Sequence, residues 1–139
     1  MKVTNIYQKL LPSVINVLVV FVFLLPLRWV NFPIWEKGIV AVIIFFAYTL
    51  IFLIFNRNRD LGMIVVGTYW KEKYPVWQHL IFNILYTASF ATLIIWIWFP
   101  FDLFLTNMIL LQLPSVLLTG TTFHGLLSGK MVTVFDKAN

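Results

Sequence analysis

Apolar residues run along this chain in four long blocks, separated by shorter stretches where charge, proline and glycine gather. The blocks cover residues 10–29, 38–55, 79–98 and 103–119. Each is close to the roughly 20 residues that an α-helix needs to cross the hydrocarbon core of a bilayer. The pattern therefore predicts four transmembrane helices, joined by a long loop over 56–77 and followed by a tail over 120–139. The fourth block carries Asn107, Gln112 and Pro114. Pro114 withdraws a backbone donor and crowds the carbonyl of Leu110, which predicts a kink or a partly re-entrant segment.

The loop and the tail are less polar than ordinary linkers. Residues 61–70 are rich in Val, Ile and aromatic side chains, with Gly62 and Gly67 five apart, and residues 131–135 form a second β-prone run. The two are expected to meet as a hairpin-like or two-stranded patch against the helix ends, an arrangement that is marginal without support beneath it. The alternative for 61–70 is a helix lying at the headgroups. The fold class that follows is an all-α membrane protein, one domain over 1–139, with four transmembrane helices and short cytoplasmic β-prone segments.

Charge placement gives the direction of insertion. Lys2, Lys9, Arg57, Arg59, Lys71, Lys73, Lys130 and Lys137 fall on one side of the predicted membrane, and only Arg28 and Lys37 on the other. Basic residues collect in short cytoplasmic loops, so both termini and the middle loop are expected in the cytoplasm, most simply at a bacterial plasma membrane. Trp29, Trp35, Trp96 and Trp98 then mark the outer interface, and Trp70 and Trp77 the inner one. The run after Lys9 is long and ends in bulky "LPLRWVNFP", which does not match a cleavable leader.

Composition agrees: 61% of residues are hydrophobic and 11% charged, which excludes an ordinary soluble surface. The net charge of +5 is explained by cytoplasmic loops and anionic lipid, and no basic–aromatic interleaving points to nucleic acid. There is no cysteine, hence no disulfide, thiolate metal site or cysteine nucleophile.

Within the blocks, Asn16, Asn83, Thr87, Thr92, Asn107 and Gln112 are the candidate packing or pathway positions. They either line a pathway or hydrogen-bond helix to helix. Because no ionised residue stands at mid-depth, the usual mark of an ion path, helix packing is the favoured reading.

The tail segment "HGLLSGKMV", residues 124–132, resembles the closing motif of the RDD family of small membrane proteins. "LGMIVVG", residues 61–67, resembles that family's Leu-Gly…Gly segment, and "KLLPSVIN", residues 9–16, its opening Arg…Ala…Ile-Asp. By this alignment the family's arginine is Lys9, its first aspartate Asn16 and its second Gly125, while Phe82 stands where a later span often has arginine. The resemblance implies a compact multi-span architecture. RDD members are either described as transport proteins or uncharacterised; the loss of both carboxylates here points away from cation handling.

No catalytic motif is present. His79 and His124 have neither a second histidine at helical spacing nor cysteine beside them, and Ser13, Ser89, Ser115 and Ser128 lie in no nucleophile motif. Neither a cofactor nor a metal is expected. The sequence thus predicts a non-enzymatic accessory or structural subunit of a larger membrane assembly, with the bilayer and another membrane protein as partners. Gly62, Gly67, His124, Gly125, Gly129 and Lys130 are its candidate docking positions. The alternative is a small RDD-like transporter or channel component acting as a homo-oligomer.

Overall fold

The computed structural model describes residues 2–31, 33–94 and 103–135, and these are mostly helical. A capping box starts helix α1 (Ile6–Leu24): Asn5 Oδ1 accepts from the Gln8 amide at 2.9 Å, and Gln8 Oε1 accepts from the Asn5 amide at 3.0 Å. The helix therefore begins before the apolar block and continues as a 3₁₀ turn, Leu25–Trp29. Helix α2 (Ile34–Asn56) ends where Arg57 and Asn58 take left-handed conformations and the Asn58 amide bonds back to the Phe52 carbonyl at 2.9 Å. Helix α4 (Val76–Ile94) runs antiparallel to α2: Asn83 meets Thr49, Phe90 stacks on Phe45, and Ile94 lies against Gly38.

Two segments, Ile6–Trp29 and Ile34–Asn56, are long and apolar enough to cross a membrane, where four were expected. Helix α4 has 19 residues but carries Gln78, His79 and Asn83, and the expected extension to residue 98, with Trp96 and Trp98, lies outside the described residues. The fourth segment, Leu103–Thr119, is shorter. It is helical throughout rather than broken: α5 (Leu103–Thr106), a π-helical turn over Asn107–Gln112, and α6 (Leu113–Thr119) with Pro114 in its first turn. The wider turn absorbs the proline. The Leu113 amide bonds five residues back to Met108, and the lost donor of Pro114 falls where the α-helical ladder is already interrupted.

The β-prone segments meet, but not as a two-stranded patch. Leu61–Val66 is a short helix, α3, and only Thr68–Trp70 is a strand, β2. Its end signals override the β-branched residues between them: Asp60 caps the Met63 amide at 2.8 Å, and Gly67 closes the turn at φ 76°. The N-terminus adds strand β1 (Lys2–Val3), and β3 (Thr133–Phe135) lies between the other two, antiparallel to both. Val134 faces Val3 on one side and Tyr69 on the other. The sheet thus gathers three distant stretches on one end of the helices, where the last helix, α7 (Phe123–Leu127), completes a small cap.

The core between α1, α2 and α4 is aromatic. Val20, Ala41, Phe45, Tyr48, Tyr86 and Phe90 are buried together. Phe45 and Phe90 stack at 4.1 Å, and Tyr86 meets Phe45 edge-on at 5.1 Å.

Candidate functional site

Asn16 is the centre of the polar end of this core and is fully buried. Its Oδ1 accepts from the Tyr48 hydroxyl of α2 at 2.7 Å and from the Gly62 amide of α3 at 2.9 Å; its Nδ2 donates to the Tyr86 hydroxyl of α4 at 3.2 Å. One side chain on α1 therefore ties three other helices together. Gly62 is required for this approach, because a Cβ there would overlap the Pro12 carbonyl oxygen. The family-like Gly62–Gly67 spacing thus separates two different needs, a close backbone crossing and a left-handed helix stop.

Around Asn16 opens a cavity of about 50 Å³, lined by Lys9, Asp60, Tyr86, Thr121, His124 and Thr133 among others. That space suits a few water molecules or one small polar group. All three segments that resemble RDD motifs reach it. Lys9 is buried and donates to the Thr4 hydroxyl at 2.6 Å and weakly to the Thr133 hydroxyl at 3.5 Å. Asp60, half-buried, is turned to the first amides of α3 and to Asn16; burial raises its carboxyl to about 6 against those hydrogen bonds.

His124, a candidate docking position, does not sit at the surface. It is buried, edge-on to Phe82 at 4.7 Å and stacked on Tyr86 at 5.1 Å. Burial pushes its imidazole down to about 3, and its Nδ1 has no hydrogen-bond partner among the described residues. Gly125 beside it is buried too: a Cβ there would stand 2.6 Å from the Thr121 hydroxyl and 3.0 Å from the Met131 carbonyl. Any larger side chain at this position would have to displace these groups. Among the docking candidates, then, Gly62, His124 and Gly125 are interior, Gly67 is half-buried, and Gly129 and Lys130 are exposed.

Three of the polar positions in the helical blocks, Asn83, Asn107 and Gln112, bond to a neighbouring element. Asn83 Nδ2 donates to the Thr49 carbonyl at 3.2 Å. Asn107 Nδ2 donates to the Ser89 hydroxyl at 2.6 Å and reaches the Thr92 hydroxyl at 3.5 Å. Gln112 Nε2 donates to Asn107 Oδ1 at 3.2 Å, and Gln112 Oε1 accepts from the Phe123 amide at 3.1 Å. The π turn places Asn107 and Gln112, five apart, on one inward face. Thr87 is buried with its hydroxyl unpartnered.

Two further surfaces adjoin the cavity. An apolar groove of about 310 Å³ runs between α1 and the fourth segment, from Leu10 and Val14 past Phe90 to Met108. A second concavity, of about 570 Å³, is bordered by Arg57, Arg59, Lys71, Lys73, Glu72, Trp70 and His79 among others. Among the described residues no group of three or more His, Cys, Asp or Glu is placed to hold a metal ion.

Sequence reading missed Asp60, Tyr48, Tyr86 and Ser13 as members of the site. Asp60 had a readable signal, an acidic residue directly before an apolar run, which is a helix N-cap pattern. The tyrosines had none, since their hydroxyls converge only when α2 and α4 pack on α1. Comparison with family models, with curated proteins and with solved structures finds no match to this chain.

Proposed function

We propose that this chain is a four-span integral membrane protein without catalytic activity, acting as an accessory or structural subunit of a larger membrane assembly of the transport or secretion type. The observation that carries the reading is the use of the polar side chains within the helices. Asn83 and Asn107 bond helix to helix and Gln112 bonds to the first residue of α7, and the stacked Phe45 and Phe90 fill the space between α2 and α4. A lone chain built this way is a scaffold.

Membrane insertion is supported by how little of the two longest segments is covered, 17% and 22%, with Leu18, Phe23, Ile43, Ile54 and Phe55 exposed along them. Four crossings are supported by the sheet. Because β1, β2 and β3 pair, residues 2–3, 68–70 and 133–135 share one end of the molecule, so the chain crosses an even number of times between each pair. Helix α4 reaches as far as α2 does, to Ile94 against Gly38, and His124 is back beside Phe82; the fourth segment makes that return. Arg57, Arg59, Lys71 and Lys73 around one concavity of the cap support a cytoplasmic orientation, as at a bacterial plasma membrane.

The meeting of Lys9–Asn16, Leu61–Gly67 and His124–Val132 around one cavity supports kinship with the RDD family. It lends the substituted positions a shared place in the fold. Docking falls to exposed Gly129 and Lys130 and the outer edge of β2.

The test is affinity recovery of the tagged chain in mild detergent, followed by mass spectrometry of the intact complex. A different membrane protein in fixed stoichiometry is the expected result. Recovery of the chain with only its own copies would overturn the subunit reading in favour of a homo-oligomeric transporter, to be followed by ion flux in liposomes.

A further inference from the structure

The apolar groove and the polar cavity are not separate features. Lys9, Ser13, Tyr86, Thr122 and His124 line both, so a long apolar channel ends in a small polar chamber. The groove's volume, about 310 Å³, is within the range on the order of 300–1,000 Å³ of small-molecule sites. At the junction stands a buried cation. Lys9 is 8% exposed, its hydrogen bonds go to the neutral hydroxyls of Thr4 and Thr133, and no carboxylate among the described residues pairs with it. A buried ammonium without a counter-charge is costly. His124, 6% exposed, also lines the junction, and its enclosed Nδ1 has no hydrogen-bond partner among the described residues. Asp60 is on the cavity wall, but its carboxylate is engaged by the Met63 amide.

We propose that groove and cavity together hold one anionic phospholipid of the surrounding bilayer. An acyl chain lies along Leu10, Val14 and Leu18 of α1, and the headgroup phosphate accepts from the Lys9 ammonium. The occupant is an amphiphile rather than a second helix because the two ends of the site differ in kind, apolar along α1 and cationic at its end. Lipid tails are as apolar in the bilayer as in the groove, so the groove selects shape and Lys9 selects charge. This inference rests on the membrane reading above.

The test uses the full chain in phosphatidylcholine vesicles, with spin-labelled phosphatidylglycerol or spin-labelled phosphatidylcholine as probe. Electron paramagnetic resonance reads the motionally restricted fraction. Restricted phosphatidylglycerol is expected to exceed phosphatidylcholine about fivefold, the factor for one lysine at a lipid charge. Lys9→Gln abolishes this preference, whereas the paired change Lys71→Gln and Lys73→Gln leaves it intact. Val14→Trp, at an exposed position inside the groove, removes the restricted component for both lipids and keeps the inference testable should Lys9→Gln not fold. Equal restriction of the two lipids, or a preference that survives Lys9→Gln, would overturn the proposal. So would cross-linking of Val14→Cys copies to one another, which would seat a second chain in the groove. Failure of the protein to float with the vesicles would instead overturn the membrane reading itself.

Discussion

The two ends of the molecule are held together by different forces. Along the helices, contact is made by rings and small side chains, with Phe45 on Phe90 and Gly38 under Ile94, and single amides such as Asn83 join neighbours. In the cap, side-chain hydrogen bonds dominate: Asn16 serves α2, α3 and α4, Thr121 Oγ1 donates to the Met131 carbonyl at 2.6 Å, and Ser128 Oγ donates to the His124 carbonyl at 2.6 Å. On the membrane reading proposed above, the difference follows from the solvent. Hydrocarbon gives helices no hydrophobic reason to associate, so packing shape and a few polar bonds decide. In the cap, buried polar groups leave water and must find partners.

The contrast is broken most severely at Asn16. Asn16→Leu strands the Gly62 amide and takes one hydrogen bond from each of the Tyr48 and Tyr86 hydroxyls, which keep the Leu61 amide and Ser13; at about 1–3 kcal/mol for a buried orphan, with the two weakened hydroxyls added, it is expected to prevent isolation of monodisperse protein. Size-exclusion chromatography of the detergent extract checks this, and a normal profile would remove Asn16 from its central role. Gly62→Ala comes next. The overlap with the Pro12 carbonyl cannot be relieved by a rotamer change, so a loss of about 3 kcal/mol is expected, read as a lowered thermal midpoint. An unchanged midpoint would mean that α1 and α3 cross less closely.

Acidity distinguishes two cap residues of opposite sign. Asp60 has a folded value near 6 against an ordinary 3.8, so the folded state holds its proton more tightly and gains stability as pH falls from 6 toward 4. His124 has a folded value near 3 against 6.5, so its contribution is complete above 6.5 and is lost as pH falls below that. Between about pH 4 and 6 the two slopes oppose each other. The parent chain is expected to melt at nearly constant temperature over that window. Asp60→Asn should lose stability toward acid, by at most about 1.4 kcal/mol per pH unit, and His124→Phe should gain it. Melting curves of the three proteins across pH 4 to 7.5 decide, and parallel curves would refute both assignments. The smallest effect belongs to the helices: Asn83→Leu is expected to cost less than about 1 kcal/mol, as single polar contacts between membrane helices do. A loss as large as that of Gly62→Ala would erase the distinction between the two regions.

This same contrast explains what was legible in the sequence. Helices α1 and α2 were visible as long apolar runs, with only their first turns misplaced because Asn5 and Pro33 open them early. The kink expected at Pro114 became a π turn, a detail set by Asn107 and Gln112 finding partners on α4 and at Phe123. The cap was mostly illegible. Strand β1 is two residues long and pairs with positions some 130 residues away, and nothing local announces such a strand. Leu61–Val66 read as β because of Ile64, Val65 and Val66, while Asp60 and Gly67 decided for helix. His124 and Gly125 read as a docking surface, yet the glycine lets the chain close over the histidine and bury it.

The account stands or falls on the chain returning to one side of the membrane, and the absence of native cysteine makes the decisive measurement clean. Single-cysteine variants Arg28→Cys, Lys73→Cys and Lys130→Cys, all at exposed positions, would be treated in intact spheroplasts with a membrane-impermeant maleimide. The account predicts that Arg28→Cys reacts at once, whereas Lys73→Cys and Lys130→Cys react only after permeabilisation. Labelling of Lys73→Cys and Lys130→Cys from opposite sides, or of Arg28→Cys and Lys73→Cys from the same side, would contradict it.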